Sequence, residues 1–433
     1  MSEPPATTAD PRAARCAPDP KRYAALLAEL AALFLVVKLF RLDGVVGTSF
    51  LRACALGFAG FAVHYWVPLR AKEWFTIALS LGGAFWILEP ATAALVIGAG
   101  LLFFAISALP APHAVRAALI AAAGAACTLG RATGVSALPA QLWAVLGSIF
   151  MFRLIVWTYD LRHMKGRPSL REFLAYFFLL PNWGCLLFPV VDFHTQRRSY
   201  LARDVHDVAQ RGVQWMARGA VQLLLYDFVY YRKPIGDPAD IDSFGMLFAF
   251  VVCTYLLYLR LSGTFHFVIG MLHLFGYDLP ETHRRYLLAS SLTDFWRRIN
   301  IYWKDFMVKL VWFPVYFRLR RRGETAAQLV ATAIVFAVTW SLHVWQTFWL
   351  TGRLHLSGPD AAFWGVLGLL VMVNLLLELR ARRPGVAAPA PRRGVRALKV
   401  AGTFLLLATL WSMWSSKSFD RWFDLLTWWR IGD

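Results

Sequence analysis

A histidine inside a long apolar run is the residue of this sequence whose type and setting most directly suggest chemistry. His343 lies in an apolar stretch from Thr325 to Leu350, which is long enough to cross a bilayer. An ionisable side chain in hydrocarbon is costly, so it needs either a structural partner or a function. Neutral imidazole is well suited to accept a proton near neutral pH. We therefore treat His343 as a candidate general base, with a structural histidine bonded to a neighbouring helix as the alternative.

A cluster of polar and aromatic residues precedes this run. Within seven residues the chain places Asp294, Trp296, Arg297, Arg298 and Asn300. At helical spacing one apolar stripe follows Phe295, Ile299, Tyr302, Phe306 and Leu310. Most of the charged residues of this segment lie off that stripe, which predicts an amphipathic, cationic helix at a membrane surface.

Several roles are open for the polar members of this cluster. Asn300 has the groups to hold a water, to orient the imidazole or to donate a hydrogen bond to a developing oxyanion, or it is simply a polar residue of the helix surface. Asp294 is expected to cap the helix or to pair with Arg297 or Arg298. The two arginines suit the phosphate group of a lipid or of a substrate, or plain interfacial anchoring.

The composition predicts the elements that hold these residues. Of the 433 residues, 58% are hydrophobic and only 16% are charged, which indicates an all-α, polytopic membrane protein rather than a soluble one. The net charge of +19 predicts basic loops on the cytoplasmic side. Because the basic residues flank apolar runs at regular intervals, we expect no nucleic-acid partner.

The apolar runs and basic links predict the organisation of the chain and its topology. We expect about eleven membrane-embedded segments and a cytoplasmic N-terminus. The predicted regions are a disordered tail (1–20), N-terminal transmembrane helices (21–158), a central core (159–379), a basic cytoplasmic linker (380–399), and a transmembrane helix with an interfacial tail (400–433).

One apolar segment, Glu172–Phe193, is interrupted by Pro181, Gly184 and Pro189. A straight spanning helix would lose hydrogen bonds at the prolines, whereas broken backbone at membrane depth is tolerated when it packs against protein or lines a wet cavity. The segment therefore predicts a re-entrant hairpin. A transporter or lipid flippase that uses this hairpin as its substrate site is the alternative to an enzyme.

The sequence gives little sign of a metal site. The five cysteines are scattered and include no CxxC pair, so neither a disulfide framework nor a thiolate site is predicted. His266 and His273 are seven residues apart and could share a helical face, but no third ligand is close in sequence. We expect no bound metal.

Three blocks of the sequence resemble the membrane-bound O-acyltransferase family. The similarity is to the bacterial branch that acylates cell-envelope polymers, as in alginate O-acetylation and D-alanyl transfer to teichoic acid. The blocks are residues 152–196 around the broken segment, DFWRRINIYWKDFMVKLVWFPVYF (294–317) and WSLHVWQTFWLTG (340–352). Ile299 and Asn300 stand where that branch has Trp-His, and no histidine follows Trp364 where some members carry a second one.

The resemblance implies an enzyme of the inner membrane in which the helical core, residues 159–379, is the catalytic part. His343 would be the catalytic base and Asn300 the second polar group. The donor would be an acyl carrier protein or acyl-CoA, with no bound cofactor and possible help from an accessory acyl-transfer subunit. The acceptor would be a hydroxyl of an envelope glycan or lipid-linked molecule, with a small lipophilic alcohol as the alternative. The expected substrate- and donor-binding residues are Asp294, Trp296, Arg297, Arg298, Trp340 and Trp345.

Overall fold

The computed structural model describes residues 15–134, 138–164, 166–183, 190–231, 241–381 and 392–427. Within these ranges the regular structure is helical, and the single β-type pairing is an isolated bridge between Tyr200 and Tyr277. The prediction of an all-α fold is therefore confirmed.

The α-helices are numbered here in chain order. The first ten are α1 (Pro20–Leu39), α2 (Leu42–Val46), α3 (Phe50–His64), α4 (Leu69–Ile87), α5 (Pro90–Ala108), α6 (His113–Thr133), α7 (Ala140–Val145), α8 (Met151–Leu161), α9 (Leu170–Phe177) and α10 (Phe193–Ser199). The others are α11 (Val205–Tyr231), α12 (Phe244–Leu256), α13 (Leu259–Leu274), α14 (Leu292–Arg298), α15 (Ile301–Met307), α16 (Phe313–Leu319), α17 (Glu324–Thr351), α18 (Gly358–Ala381), α19 (Arg393–Trp414) and α20 (Phe419–Leu426).

Six helical stretches in the described ranges are long and apolar enough to cross a membrane. They are α5, α6, the stretch Phe244–Leu274 formed by α12 and α13, α17, α18 and α19. The composition and these helices together identify a membrane protein with transmembrane helices.

Parts of several predicted regions lie outside the described residues. In the broken segment, α9 ends at Phe177 and a 3-10 turn follows at Leu180–Trp183, so the regular helix stops before Pro181 is passed. Residues 184–189, with Gly184 and Pro189, lie outside the described ranges, as do most of the predicted tail and half of the basic linker.

The chain divides into two compact units. The first comprises residues 1–125, 149–221 and 263–280, and the second comprises residues 126–148, 222–262 and 281–433. The second unit contains both His343 and the cluster from Asp294 to Asn300, so the candidate site belongs to one unit.

In the first unit, a buried arginine holds the broken segment. Arg153, on α8, is 0% exposed and donates to the carbonyl oxygens of Tyr176 (2.5 Å) and Phe177 (3.0 Å) and to Oδ1 of Asn182 (3.2 Å). The last carbonyl groups of a helix have no intrahelical partner, and a cation there also complements the helix dipole. Arg153 therefore provides the C-terminal cap of α9 at the point where the segment breaks.

A glycine pair on each helix lets α11 and α13 approach closely in the first unit. A Cβ atom added at Gly212 would lie 2.5 Å from the carbonyl oxygen of Gly270. One added at Gly219 would lie 2.6 Å from the carbonyl oxygen of Gly263. The two glycines of each helix are seven residues apart in the chain. Because Gly212 meets Gly270 and Gly219 meets Gly263, the helices run antiparallel and their backbones are in contact at two levels.

We expect Gly219→Ala to destabilise the protein by about 1–3 kcal/mol, because the methyl group meets backbone atoms that cannot move aside independently of the helix. The matched control is Gly98→Ala in α5, where no atom lies within 4 Å of the added carbon. There the substitution should stabilise by up to about 1 kcal/mol through helix propensity. Thermal unfolding in detergent measures both changes, and equal effects of the two would contradict the close approach.

Candidate active site

The imidazole of His343 lies between two indole rings in the second unit. Its ring centroid is 5.5 Å from that of Trp303, in an edge-on arrangement, and 4.8 Å from that of Trp364. The ring is partly buried. Ring contacts at these distances favour edge-on and offset arrangements, so the two indoles help to hold the imidazole in one orientation.

A hydrogen bond within α17 determines which nitrogen of this ring is basic. Nδ1 of His343 lies 2.9 Å from the carbonyl oxygen of Thr339, one turn earlier. A carbonyl oxygen only accepts, so Nδ1 donates and carries the proton of the neutral ring. Nε2 is then the unprotonated nitrogen. The arrangement supplies what a general base needs, namely a lone pair on a ring whose orientation is fixed.

The depth of His343 follows from the start of its helix. The apolar run predicts a helix from about Thr325, and the structure begins α17 at Glu324. His343 is nineteen residues further on, which corresponds to about 28 Å along the helix axis. The hydrocarbon layer of a bilayer is about 30 Å thick. If α17 stood perpendicular to the membrane and began at one face, the imidazole would therefore lie near the opposite face.

The segment before α17 folds back along it as an antiparallel partner. Helix α15 continues through a π-helical turn at Val308–Trp312 into α16. Three side-chain hydrogen bonds mark the register with α17: Trp303 to Thr339 (3.3 Å), Trp312 to Thr332 (3.4 Å) and Tyr316 to Glu324 (3.1 Å). Extended by three residues beyond the first pair, this register places Asn300 at the level of Leu342 and His343.

Asn300 occupies a backbone turn that suits its residue type. Its φ and ψ angles are 35° and 61°, in the left-handed region that asparagine tolerates better than most residues. Its Oδ1 accepts from the backbone N–H of Trp303 at 3.3 Å and so caps α15. With Oδ1 used by the cap, the amide nitrogen is the group of Asn300 left for a ligand.

The turn at Asn300 contradicts the prediction of one continuous amphipathic helix. The apolar stripe from Phe295 to Leu310 predicts a single helix, but α14 ends at Arg298 and α15 begins at Ile301. Hydrophobic periodicity does not report a change of backbone direction, and here the left-handed residue separates two short helices. The segment also packs along α17 through its indole and phenol groups.

Asp294 forms the predicted ion pair with one of its neighbouring arginines. Its Oδ1 accepts from Nε of Arg298 at 2.6 Å, one turn further on. The N-cap of α14 is Ser291, whose hydroxyl accepts from the backbone N–H of Asp294 at 3.1 Å. Burial raises the pKa of the Asp294 carboxyl, but hydrogen bonds from Arg298 and Ser290 lower the pKa by more. The carboxylate therefore stays charged and holds Arg298.

Arg297 points elsewhere and contacts the end of α18. Its guanidinium lies 3.7 Å from Oε2 of Glu378, and its side chain remains more than half exposed. Glu378 also accepts a hydrogen bond from the hydroxyl of Thr293, and the Thr293 backbone N–H donates to Asn374 at 3.2 Å. These contacts fasten α14 to α18, and the exposed guanidinium is available to an anion.

The three predicted tryptophans contact different groups of the second unit. Trp296 packs against Phe336 with ring centroids 4.6 Å apart. Trp340 donates from Nε1 to Asp360 at 2.8 Å. Trp345 stacks on Phe348 of its own helix. None of these rings is one of the two that flank the imidazole, which are Trp303 and Trp364.

Asp360 is a residue of this site that sequence reasoning missed. Its carboxylate accepts from the indole N–H groups of Trp340 (2.8 Å) and Trp414 (2.6 Å), and it is close enough to His343 to interact with the ring electrostatically. The available signal was an acidic residue at the start of a long apolar helix, four residues before Trp364.

The paired histidines in the first unit do not supply a metal site. His273 is fully buried, and its Nδ1 lies 2.7 Å from the carbonyl oxygen of Ile269. His266 is also buried. Across the ranges given above, no group of three histidine, cysteine or acidic residues is placed to hold a metal ion.

Comparison with known proteins assigns no family to this chain. No protein-family model matches it, and no curated protein is significantly similar to it. The likeness carried by the three sequence blocks therefore contributes an expectation, and the functional argument depends on the geometry around His343.

Proposed function

We propose that this protein is a membrane-bound O-acyltransferase that moves an acyl group from a thioester donor to a hydroxyl acceptor. The observation that carries the proposal is the state of His343, whose Nδ1 is committed to the Thr339 carbonyl so that Nε2 is left as a base. The aromatic contacts at Trp303 and Trp364 add support, because they hold the imidazole in one orientation.

The proposed reaction uses these groups in one sequence. Nε2 of His343 takes the proton of the acceptor hydroxyl as the oxygen attacks the thioester carbonyl carbon. The carbonyl oxygen becomes an oxyanion, to which the amide nitrogen of Asn300 donates. When the intermediate collapses, the carbon–sulfur bond breaks, the ester forms, and the imidazolium returns its proton to the departing thiolate. His343 ends neutral, and the thiol leaves with the donor.

The donor is an acyl carrier protein or acyl-CoA, and both present a phosphopantetheine arm with a phosphate group. Arg297 and Arg298 supply two positive charges within one turn of Asn300. Arg297 remains largely exposed, whereas Arg298 is held by Asp294. We assign Arg297 the phosphate contact and Arg298 the alignment of α14. Trp296, Trp340 and Trp345 complete the proposed walls of the acyl and acceptor sites.

The finer topology belongs to the same proposal. We place the protein in the inner membrane with about eleven embedded segments, the re-entrant hairpin at Glu172–Phe193, and a cytoplasmic N-terminus. The donor enters from the cytoplasm, and the acceptor, a hydroxyl of an envelope glycan or lipid-linked molecule, enters from the other face. The distance of His343 from the start of α17 suits a base that both substrates reach.

Thioester consumption by the purified protein tests the function. Acyl-CoA and acyl carrier protein are supplied separately with a glycan, a lipid-linked sugar or a small lipophilic alcohol, and the free thiol and the ester product are measured. Release of thiol that depends on the acceptor, with matching ester formation, supports the proposal. Absence of ester with every donor and acceptor, from protein that remains folded, would reject acyl transfer and leave transport as the function to examine.

A further inference from the structure

A buried group of hydroxyls and one imidazole lies in the second unit beside the Asn300 turn. Its members, referred to here as the tyrosine cluster, are Tyr255, Tyr258, Ser262, His283 and Tyr286. None of them has a role in the reaction described above. The imidazole of His283 is 1% exposed, so its orientation depends on the groups around it.

Hydrogen bonds fix both nitrogens of the His283 ring. Nε2 lies 3.0 Å from the hydroxyl oxygen of Tyr258, and Nδ1 lies 3.2 Å from the hydroxyl oxygen of Thr282. The rings of Tyr258 and Tyr286 meet the imidazole edge-on, each with a centroid distance of 5.6 Å. A buried polar group whose partners are all in place defines one conformation of the backbone that carries it.

That backbone is the one against which the Asn300 turn is built. The carbonyl oxygen of Thr282 accepts from the N–H of Ile301 at 2.8 Å, and the N–H of Arg284 donates to the carbonyl oxygen of Arg298 at 3.0 Å. The two hydrogen bonds are separated by two residues along one segment, from Thr282 to Arg284, and by three along the other, from Arg298 to Ile301. The additional residue is accommodated in the manner of a β-bulge, with Asn300 in the left-handed conformation.

We propose that His283 and Tyr258 are positioning residues for the imidazole of His343. Their hydrogen bond holds the 282–284 segment, this segment holds the turn at Asn300, and the turn sets how Trp303 meets His343. The catalytic consequence rests on the proposed function, whereas the structural part concerns only the surroundings of His343.

Each link in this series is a contact in the second unit. Oδ1 of Asn300 accepts from the N–H of Trp303, which fixes the first turn of α15. The indole of Trp303 is fixed again by its bond to the Thr339 hydroxyl, in the same turn whose carbonyl holds His343. A displaced 282–284 segment would therefore uncover one face of the imidazole.

Tyr258→Phe tests the proposal, with Tyr255→Phe as its matched control. Both substitutions remove one phenolic hydroxyl from neighbouring positions of the same cluster. Tyr255 is 0% exposed and its hydroxyl has no hydrogen-bond partner in the described part of the chain, so its loss should leave the 282–284 segment in place. The Tyr258 hydroxyl bonds to His283, so its loss should release that segment.

The measurement is the rate at which diethyl pyrocarbonate modifies His343, followed by mass spectrometry in the detergent-purified protein. We expect Tyr258→Phe to raise this rate about five- to tenfold, the factor that one buried hydrogen bond is worth. Tyr255→Phe should leave it unchanged. The exposed His355 serves as the internal reference and should react equally in all variants.

Conservative replacement of the imidazole gives a second, independent arm. His283→Gln retains an acceptor for the Tyr258 hydroxyl, so the modification rate of His343 in this variant should stay close to the wild-type rate. His283→Leu has no acceptor for the Tyr258 hydroxyl and should raise the modification rate of His343 as Tyr258→Phe does. A general loss of structure is recognised because it would also raise the modification rate of the fully buried His273, or would affect the Gln and Leu variants equally.

The outcomes separate this inference from the proposed function. Equal modification rates of His343 in Tyr258→Phe and Tyr255→Phe would overturn the positioning role. If thioester transfer is present, Tyr258→Phe should lower kcat about five- to tenfold while leaving the KM of the thioester unchanged. If no transfer is found with any acceptor, the proposed function fails, while the His343 modification rates still decide whether the tyrosine cluster positions the imidazole.

Discussion

His343→Ala should abolish acyl transfer while the protein remains folded in the membrane. The substitution removes the only group placed to take the acceptor proton in the proposed reaction, and general-base catalysis contributes about a hundred- to ten-thousandfold. The imidazole is partly buried between Trp303 and Trp364, so its removal also leaves a cavity. The measurement is ester formation by purified protein, together with thermal unfolding to confirm that the variant is folded.

Two further variants isolate the base from the packing. His343→Gln keeps a donor for the Thr339 carbonyl and fills most of the space, but has no basic nitrogen. It should therefore be as inactive as His343→Ala and closer to the unmodified protein in stability. His355→Ala removes an exposed histidine twelve residues further on and should leave transfer unchanged. Full activity in His343→Gln would exclude the base role.

Hydropathy was sufficient to find the helix that carries His343. The apolar run from Thr325 to Leu350 predicts a spanning helix, and α17 extends one residue beyond that run at each end. Length and composition decide such a helix because each backbone polar group in a bilayer must be satisfied within its own segment. The pair of Asp294 and Arg298 was predictable for a related reason, since residues four apart meet on a helix surface.

The residues that surround His343 could not be predicted in the same way. Thr339 is one turn away and was within reach of the helical spacing, whereas Trp364 and Asp360 belong to the next helix. Their approach depends on how α17 and α18 are aligned, and side-chain packing sets that alignment. The resemblance implied a binding role for Trp345, which stacks on Phe348, but the structure places the more distant Trp364 against the imidazole.

The break at Asn300 shows a second reason for failure. Apolar residues recur every three to four positions across this point, so the pattern favours one continuous helix. Asn300 nevertheless adopts a left-handed conformation, which interrupts the helix. The break is determined by hydrogen bonds to the 282–284 segment. These bonds join distant parts of the sequence, so no local pattern predicts them. Single polar residues inside an amphipathic pattern are therefore places where a helix prediction needs a tertiary explanation.

Asn300→Asp should lower acyl transfer about a hundred- to thousandfold without disturbing the turn, the loss expected when one oxyanion donor is removed. Aspartate tolerates the left-handed conformation, and its carboxylate oxygen still accepts from the N–H of Trp303, so α15 keeps its cap. What is lost is the amide nitrogen, the one group of Asn300 that the cap leaves for substrate. Ester formation and the modification rate of His343 are measured together.

Asn300→Val provides the contrast that gives this result its meaning. A β-branched residue is strained in the left-handed region and cannot cap α15, so both the turn and the donor are lost. We expect transfer to fall at least as far as in Asn300→Asp, but now with faster modification of His343, because Trp303 no longer covers the ring. If Asn300→Asp instead transfers acyl groups at the full rate, the amide nitrogen has no part in the chemistry. The residue would then serve only to turn the backbone so that Trp303 reaches the imidazole.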